Sequence, residues 1–237
     1  IPICWLITNV SLNSFDSVNS IIYASFNSLK VAFIGALIIV TFAIFIIFAK
    51  RIFKTNILSF IINFSKIGYA APGIVIAIGV ISPSLFLDKQ VNYLFSYFGK
   101  DIGLLVSGSI AILIFAYLVR FLSVAFNPIE SGLEKISEKI DYSALNLGAS
   151  KNTLLFKIHL PMIMTACLIA FLLIFIDILK ELPITLILRP FNYNTLSILT
   201  YEYASSEQLT EAALPALLIT IIGLLPLILI NRILNRK

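Results

Sequence analysis

Four residues at the end of a long apolar run carry the first chemistry in this chain: Asp177, Lys180, Glu181 and Pro183. Asp177 and Lys180 stand three apart, on one helical face, where a carboxylate and an ammonium can pair. Glu181 adds a second carboxylate, and Pro183 stops the helix. Charges inside or at the edge of a membrane-spanning segment are costly and mark functional sites by default. An ion pair that locks a helix end is the plain alternative, and the spacing fits both. Other reactive groups are scarce. The single histidine, His159, and scattered serines offer neither a nucleophile nor a metal cluster, which leaves little for an enzyme to work with. His159 reads most simply as a satisfied interfacial side chain.

The elements that hold these residues follow from composition. Hydrophobic residues make up 59% of the 237 positions and charged ones 12%, and the mean hydropathy is +1.02. That is more apolar surface than a water-soluble domain of this length can bury, so the chain belongs in a bilayer. Crossing about 30 Å of hydrocarbon takes about 20 apolar residues in a helix. Five uncharged windows reach or approach that length: Val31 to Ala49, Ile67 to Leu87, Ile102 to Val119, Ile158 to Ile176 and Ala212 to Asn231. Each is about twice too long for a barrel strand, and none alternates apolar with polar. The expected fold is an all-α membrane protein, a polytopic helical bundle, with kinks at Pro72-Gly73, Pro83 and Pro226.

Basic residues orient the bundle. Lys50, Arg51, Lys54 and Lys66 fall in one loop, Lys135, Lys139, Lys151 and Lys157 in another, and Arg232, Arg236 and Lys237 in the tail. The opposite side has only Lys30, Lys89, Lys100, Lys180 and Arg189, together with Glu202, Glu207 and Glu211. The positive-inside rule puts the first set in the cytoplasm, with the carboxy-terminus. The net charge of +5 is therefore a topology signal, and no basic cluster on a soluble face suits nucleic acid. Cys4 and Cys167 lie in apolar runs on opposite halves of the membrane and make no disulfide or metal framework. Ile1 to Ile7 is apolar but too short to cross and has no basic leader, so it reads as the tail of a helix that starts upstream.

Between the third and fourth windows lies a polar island. Pro128 opens it, and Ile129, Leu133, Ile136 and Ile140 recur at helical spacing with Glu130, Glu134, Lys135, Glu138 and Lys139 on other faces. An amphipathic helix at the membrane surface is expected there, followed by a short helical turn over Asp141 to Leu147. Gly148 can take the positive φ that ends a helix, and Ser150 can cap another over Asn152 to Ile158. Two short helices then meet at a glycine corner whose tip, Ala144 to Ala149, is nearly free of charge. Leu160-Pro161 joins this corner to the next spanning helix, where a proline is tolerated in the first turn.

Gly148, then Ile158, Leu160 and Pro161, with Ala144 four residues before the glycine, is a spacing that resembles the EAA loop of type I ABC-importer permeases. The resemblance implies a permease of that fold. It also implies that Tyr142, Ser143, Ala144, Leu147, Gly148, Ala149, Ile158, Leu160 and Pro161 contact or transmit force from a separate ATPase. The family usually has Glu and Ala where this chain has Tyr142 and Ser143. The run KELPITLILRP, followed by Thr195-Leu196, Tyr201 to Ala204 and Ala212 to Ala216, resembles the second half of ferric iron permeases. Thiamine, phosphonate and polyamine relatives share parts of it. Ferric iron is compatible with the oxygen-bearing residues Asp177, Glu181, Tyr201, Glu202 and Tyr203, because a hard cation favours such ligands. A conduit must release what it admits, so no resident metal site is expected.

These implications set the remaining expectations. Residues 1–26 would end a helix and form a periplasmic segment; 27–237 would be a permease core of about five spanning helices, with a coupling loop near 128–161 and a periplasmic gate segment near 177–211. Asp177, Lys180, Glu181 and Pro183 would line the substrate pathway. The partners implied are an ABC ATPase dimer, a periplasmic substrate-binding protein, a second permease half, fused or separate, and membrane lipid, in a bacterial inner membrane. The chain would bind no cofactor; ATP and Mg would sit on the ATPase, since no Gly-rich loop ending in Gly-Lys-Ser/Thr is present here. A gradient-driven transporter would ask for buried carboxylates or broken helices near the bilayer midplane, and the windows starting at Val31, Ile67 and Ile102 contain no acid at all.

Overall fold

The computed structural model describes residues 6, 15–97, 99 and 103–235, and every regular element among them is a helix. In chain order these are α1 (Phe15–Phe53), α2 (Asn56–Ala70), α3 (Gly73–Ser96), α4 (Ile110–Glu134), α5 (Glu138–Asn146), α6 (Lys151–Leu179), α7 (Pro183–Leu188), α8 (Leu196–Ser205) and α9 (Leu209–Asn235). Five of them, α1, α3, α4, α6 and α9, are long and apolar enough to span a membrane. Most of the segment before Phe15, expected to end an upstream helix, lies outside the described residues.

The helices and the apolar windows differ in three places. Helix α1 begins well before Val31, because Ser25 and Ser28 interrupt the apolar pattern without interrupting the backbone ladder. Ser25 Oγ donates back to the Ile21 carbonyl, and Ser28 Oγ accepts from Leu196 N–H across the bundle. The second window is two helices. Pro72 has no N–H to continue α2, Ala71 before it is extended (φ −72°, ψ 139°), and α3 starts afresh at Gly73. The third window starts late and ends late: Ser109 caps α4, which runs straight through Arg120 and Pro128 to Glu134. The amphipathic surface helix expected from Pro128 is thus roughly the last two turns of a spanning helix. Ile129 and Leu133 pack in its core, Ile136 fills the turn after it, and Ile140 belongs to α5 and is exposed.

Helices α1, α4 and α6 pack mutually and hold the core. Ala32, Ala36 and Ala43 of α1, Ala116 and Ala125 of α4 and Ala170 of α6 are fully buried where the helices meet. Lipid tails are as apolar as leucine, so close approach through small side chains is what favours helix association in a bilayer. Helices α3 and α9 present Ile74, Val75, Ile78, Leu224, Leu225 and Ile228 outward, surfaces suited to hydrocarbon.

The chain after α6 turns back into the protein. Ile184, Thr185 and Leu188 of α7 are buried against α3 and α4. The Tyr117 hydroxyl of α4 lies 2.5 Å from Thr185 Oγ1, which itself donates to the Glu181 carbonyl at 2.6 Å. The loop before α8 is fastened to α1: Asn27 Nδ2 donates to the Asn194 carbonyl at 3.0 Å, and the Tyr193 hydroxyl donates to the Asn27 carbonyl at 3.2 Å. On the same side, buried Asp88 of α3 accepts from Val106 N–H, Ser107 N–H and Ser107 Oγ at 2.7, 2.9 and 2.5 Å, which holds the strand of chain leading into α4.

Candidate functional site

The elbow between α5 and α6 is built by three local devices. Ser137 caps α5 by accepting from Lys139 N–H. At the other end Gly148 has φ +83°, Gly148 N–H donates to the Leu145 carbonyl and Ala149 N–H to the Ala144 carbonyl, both at 3.0 Å. That pair of bonds is the Schellman closure of a helix, which needs a left-handed residue and so favours glycine. Ser150 then caps α6 by accepting from Thr153 N–H at 3.2 Å. The corner leaves Tyr142, Ser143, Leu145, Leu147 and Gly148 exposed, with Leu147 the most so at 89%. Ala144 and Ala149 are half-buried at its base.

Ile158, Leu160 and Pro161 sit elsewhere, on the root of α6. The segment Leu154–His159 is a π-helical turn within a continuous helix, where an α-helix was expected. Leu160 N–H reaches back five residues to the Leu155 carbonyl. Pro161 lacks the N–H that would continue an α-ladder, and a π turn is a local way to absorb the mismatch. The widened turn carries His159 fully into the interior.

There His159 meets two residues that the sequence reading left aside. His159 Nε2 lies 2.7 Å from Asp141 Oδ1, and Arg51 Nε donates to Asp141 Oδ2 at 2.6 Å. Arg51 Nη1 and Nη2 donate to the carbonyls of Leu133 and Ile136, at 2.5 and 2.8 Å, and so close the carboxy-terminal end of α4. Burial pushes the Asp141 carboxyl up, but the hydrogen bonds from Arg51 and His159 outweigh it and hold the group below the usual carboxylate range. Lys50 to Glu130 (2.6 Å) and Lys54 to Glu138 (2.9 Å) flank this cluster at its wetter rim.

The four residues at the end of α6 make separate contacts. Asp177 and Lys180 pair at 2.9 Å, as their spacing predicts, with the lysine mostly exposed. Glu181 turns inward instead and faces Arg120 of α4 at 3.6 Å, while its Oε1 accepts from Ile184 N–H at 3.3 Å. Arg120 Nε and Nη1 are buried without a hydrogen-bond partner, and the guanidinium also lies over the Phe121 ring at 5.6 Å. In the sequence Arg120 marks only the end of an uncharged window; its signal there is an arginine flanked on both sides by apolar residues. Pro183 opens α7. Of the other oxygen-bearing residues, Glu202 pairs with Arg189 at 3.0 Å, Tyr201 is exposed, and Tyr203 packs beside Ile21 and Leu199. Among the described residues, no three histidine, cysteine or acidic side chains gather as metal ligands.

A bundle of spanning helices with a protruding, glycine-cornered elbow rooted in one of them defines a class: the chain has the fold of ABC-importer permeases. It resembles a chain in the crystal structure of a bacterial ABC transporter involved in import of the acidic polysaccharide alginate, with a TM-score of 0.66 and 17% identity, covering 94% of this chain and 84% of that one. It likewise resembles a chain of the MetNI methionine ABC transporter in an inward-facing conformation, with a TM-score of 0.61 and 14% identity over 93% of this chain and 99% of that one. In sequence it is 27% identical over 230 residues to the Fe(3+)-transport system permease protein FbpB 2 of Haemophilus influenzae. That match takes in 97% of this chain and 42% of the relative, so the chain spans less than half of the curated protein it matches. No family model matches the chain. Fold and sequence likeness agree on a chain with the fold of ABC-importer permeases, with five helices long and apolar enough to span a membrane.

Proposed function

We propose that this chain is one transmembrane half of an ATP-driven importer that moves ferric iron into the cytoplasm by alternating access. The observation that carries the reading is the continuity of the elbow with α6: an exposed, uncharged tip leads through Ser150 into a single helix that runs to Leu179. A push on that tip is delivered at the root of that helix. The ATPase dimer would seat Tyr142 to Ala149 and transmit through Ile158, Leu160 and Pro161, with ATP and Mg bound on the ATPase and no cofactor on this chain. On this reading the carboxy-terminal end of α9 and the elbow face the cytoplasm, in line with the basic ends of α1 and α9. The start of α1 and the gate segment near 177–211 face the periplasm, where a substrate-binding protein delivers cargo. A second permease half, fused or separate, completes the pathway, which Asp177, Lys180, Glu181 and Pro183 would line. Iron as cargo is supported by the name of the Haemophilus relative.

The test is reconstitution of the full transporter, with ATPase and binding protein, in vesicles. ATP-dependent accumulation of radiolabelled ferric iron is expected, together with a crosslink from Leu147→Cys to the ATPase. Uptake driven by an ion gradient without ATP would overturn the reading. ATP-driven uptake of an organic cation or anion would keep the importer and replace the cargo.

A further inference from the structure

Helix α5 is poorly attached to the body of the protein. Apart from its chain neighbours it packs chiefly against the π turn at the root of α6, and two short links, 135–137 and 147–150, join it to α4 and α6. An elbow held only by such links would pivot when pushed. What prevents this is a buried cluster of directed bonds from four elements. Arg51 comes from the last turn of α1, Asp141 from α5 and His159 from the π turn, and the two carbonyls that Arg51 binds close α4.

Net stability does not account for this cluster. Taking an ion pair out of water offsets most of its Coulomb attraction, and apolar packing of the same volume stabilises as well or better. Geometry is what such a cluster supplies. A guanidinium is a flat fork with donors in fixed directions, and here one edge is committed to a carboxylate and the others to two helix-end carbonyls. Asp141 is in turn held from both sides, Oδ2 by Arg51 and Oδ1 by His159, so neither oxygen is free to let the helix rotate. The side chains around the joint on the outside, Lys50 with Glu130 and Lys54 with Glu138, tie the same helices together again.

We infer that Arg51, Asp141 and His159 form a rigid joint that makes α1 and α4, and not α6 alone, move with the coupling elbow. Asp141 is its positioning residue. The joint stays closed through the transport cycle, so the force delivered at Leu147 reaches three spanning helices as one body. This inference rests on the elbow being the ATPase contact.

The experiment uses the complete transporter with its ATPase and binding protein, and compares wild type with Asp141→Asn and Arg51→Lys. Both variants keep the side-chain volume while weakening the directed bonds. Binding of the ATPase and ATP hydrolysis within about twofold of wild type are expected, with cargo imported per ATP hydrolysed falling about tenfold. An unchanged ratio, whatever the amount of protein assembled, would overturn the joint while leaving the importer reading in place; loss of ATPase contact at the elbow in wild type would instead sink that reading. A second measurement needs no variant of the cluster. Spin labels at the exposed positions Thr55 and Lys139 should report one distance in both nucleotide-free and ATP-trapped wild type. A shift between the two states wider than the label's own spread would show that the joint opens, and would overturn the inference.

Discussion

Gly73 has no room for a side chain because Arg120 occupies the space. A Cβ on Gly73 would lie 2.3 Å from Arg120 Nη1 and 2.8 Å from Glu181 Oε1. The break between α2 and α3 is therefore more than a kink: it brings a bare backbone against an ion pair between α4 and the chain that follows α6, and the three segments meet at that point.

Gly73→Ala should displace the guanidinium, the flexible partner, and leave Glu181 buried with a weakened counter-ion. Removing one member of a buried pair costs about 3–5 kcal/mol, so Arg120→Gln should destabilise by about 3 kcal/mol and Gly73→Ala by less. The two changes act on one contact and should not add. In the Arg120→Gln background, Gly73→Ala should cost less than half of what it costs in wild type. Denaturant unfolding of the four proteins in detergent measures the cycle; full additivity would show that Gly73 matters for some reason other than the pair.

Two further glycines should respond in opposite directions. A Cβ on Gly68 would come within 2.2 Å of the Val119 carbonyl oxygen, so backbone stands against backbone and α2 would have to part from α4. Gly79 on α3 has open space around its Cβ position. Gly68→Ala should lower the yield of folded protein and its thermal midpoint sharply. Gly79→Ala should raise stability by about 0.5–1 kcal/mol, the helix preference of alanine over glycine. Equal effects of the two would contradict the close packing of α2 on α4.

The comparison of windows with helices shows where a sequence speaks and where it is silent. Apolar run length is a local property, so the class of fold and the five spans could be read directly, and so could Gly148 and Ser150, whose roles depend on neighbours within a few residues. The Asp177–Lys180 pair was legible for the same reason. Arg51 and Asp141 are far apart in sequence, as are Arg120 and Glu181, and no periodicity links one partner to the other. A charge ends an apolar window, whereas in α4 the charge is carried through the helix because Glu181 and a glycine receive it. At Pro72-Gly73 the proline marks a kink, but the chain makes a full break there, with α2 ending at Ala70 and α3 starting at Gly73, and hydropathy alone does not divide that window.

The Asp141 cluster also predicts how stability depends on pH. Above the ordinary carboxylate range Asp141 is ionised in both the folded and unfolded chain, and its bonds to Arg51 and His159 contribute in full. As pH falls, the unfolded chain takes up a proton first, because the folded carboxyl is held lower, and the contribution shrinks until the folded group protonates too. Wild type should therefore lose stability between about pH 5 and about pH 3 more steeply than Asp141→Asn. Thermal unfolding across that range checks it. Parallel curves would mean that the folded carboxyl titrates like an ordinary one.

At the corner itself, backbone and surface can be separated. Gly148 has φ +83° and nothing within 4 Å of its Cβ position, so a substitution meets strain in its own dihedral angles and no clash. Asparagine and aspartate tolerate the left-handed region, whereas a β-branched residue does not, at a cost of about 1–2 kcal/mol. Gly148→Asn should keep the Schellman closure and most of the uptake. Gly148→Asp should keep the closure and membrane insertion but put a charge on the uncharged tip, so uptake per ATP should fall while the protein stays folded. Gly148→Val should open the corner and lose both coupling and ATPase binding. Measured as ATPase co-purification and as cargo imported per ATP, the order Asn, Asp, Val tests whether the partner reads the shape of the elbow or its surface. If Asp matched Asn in both assays, the tip would not be in contact with the ATPase at all.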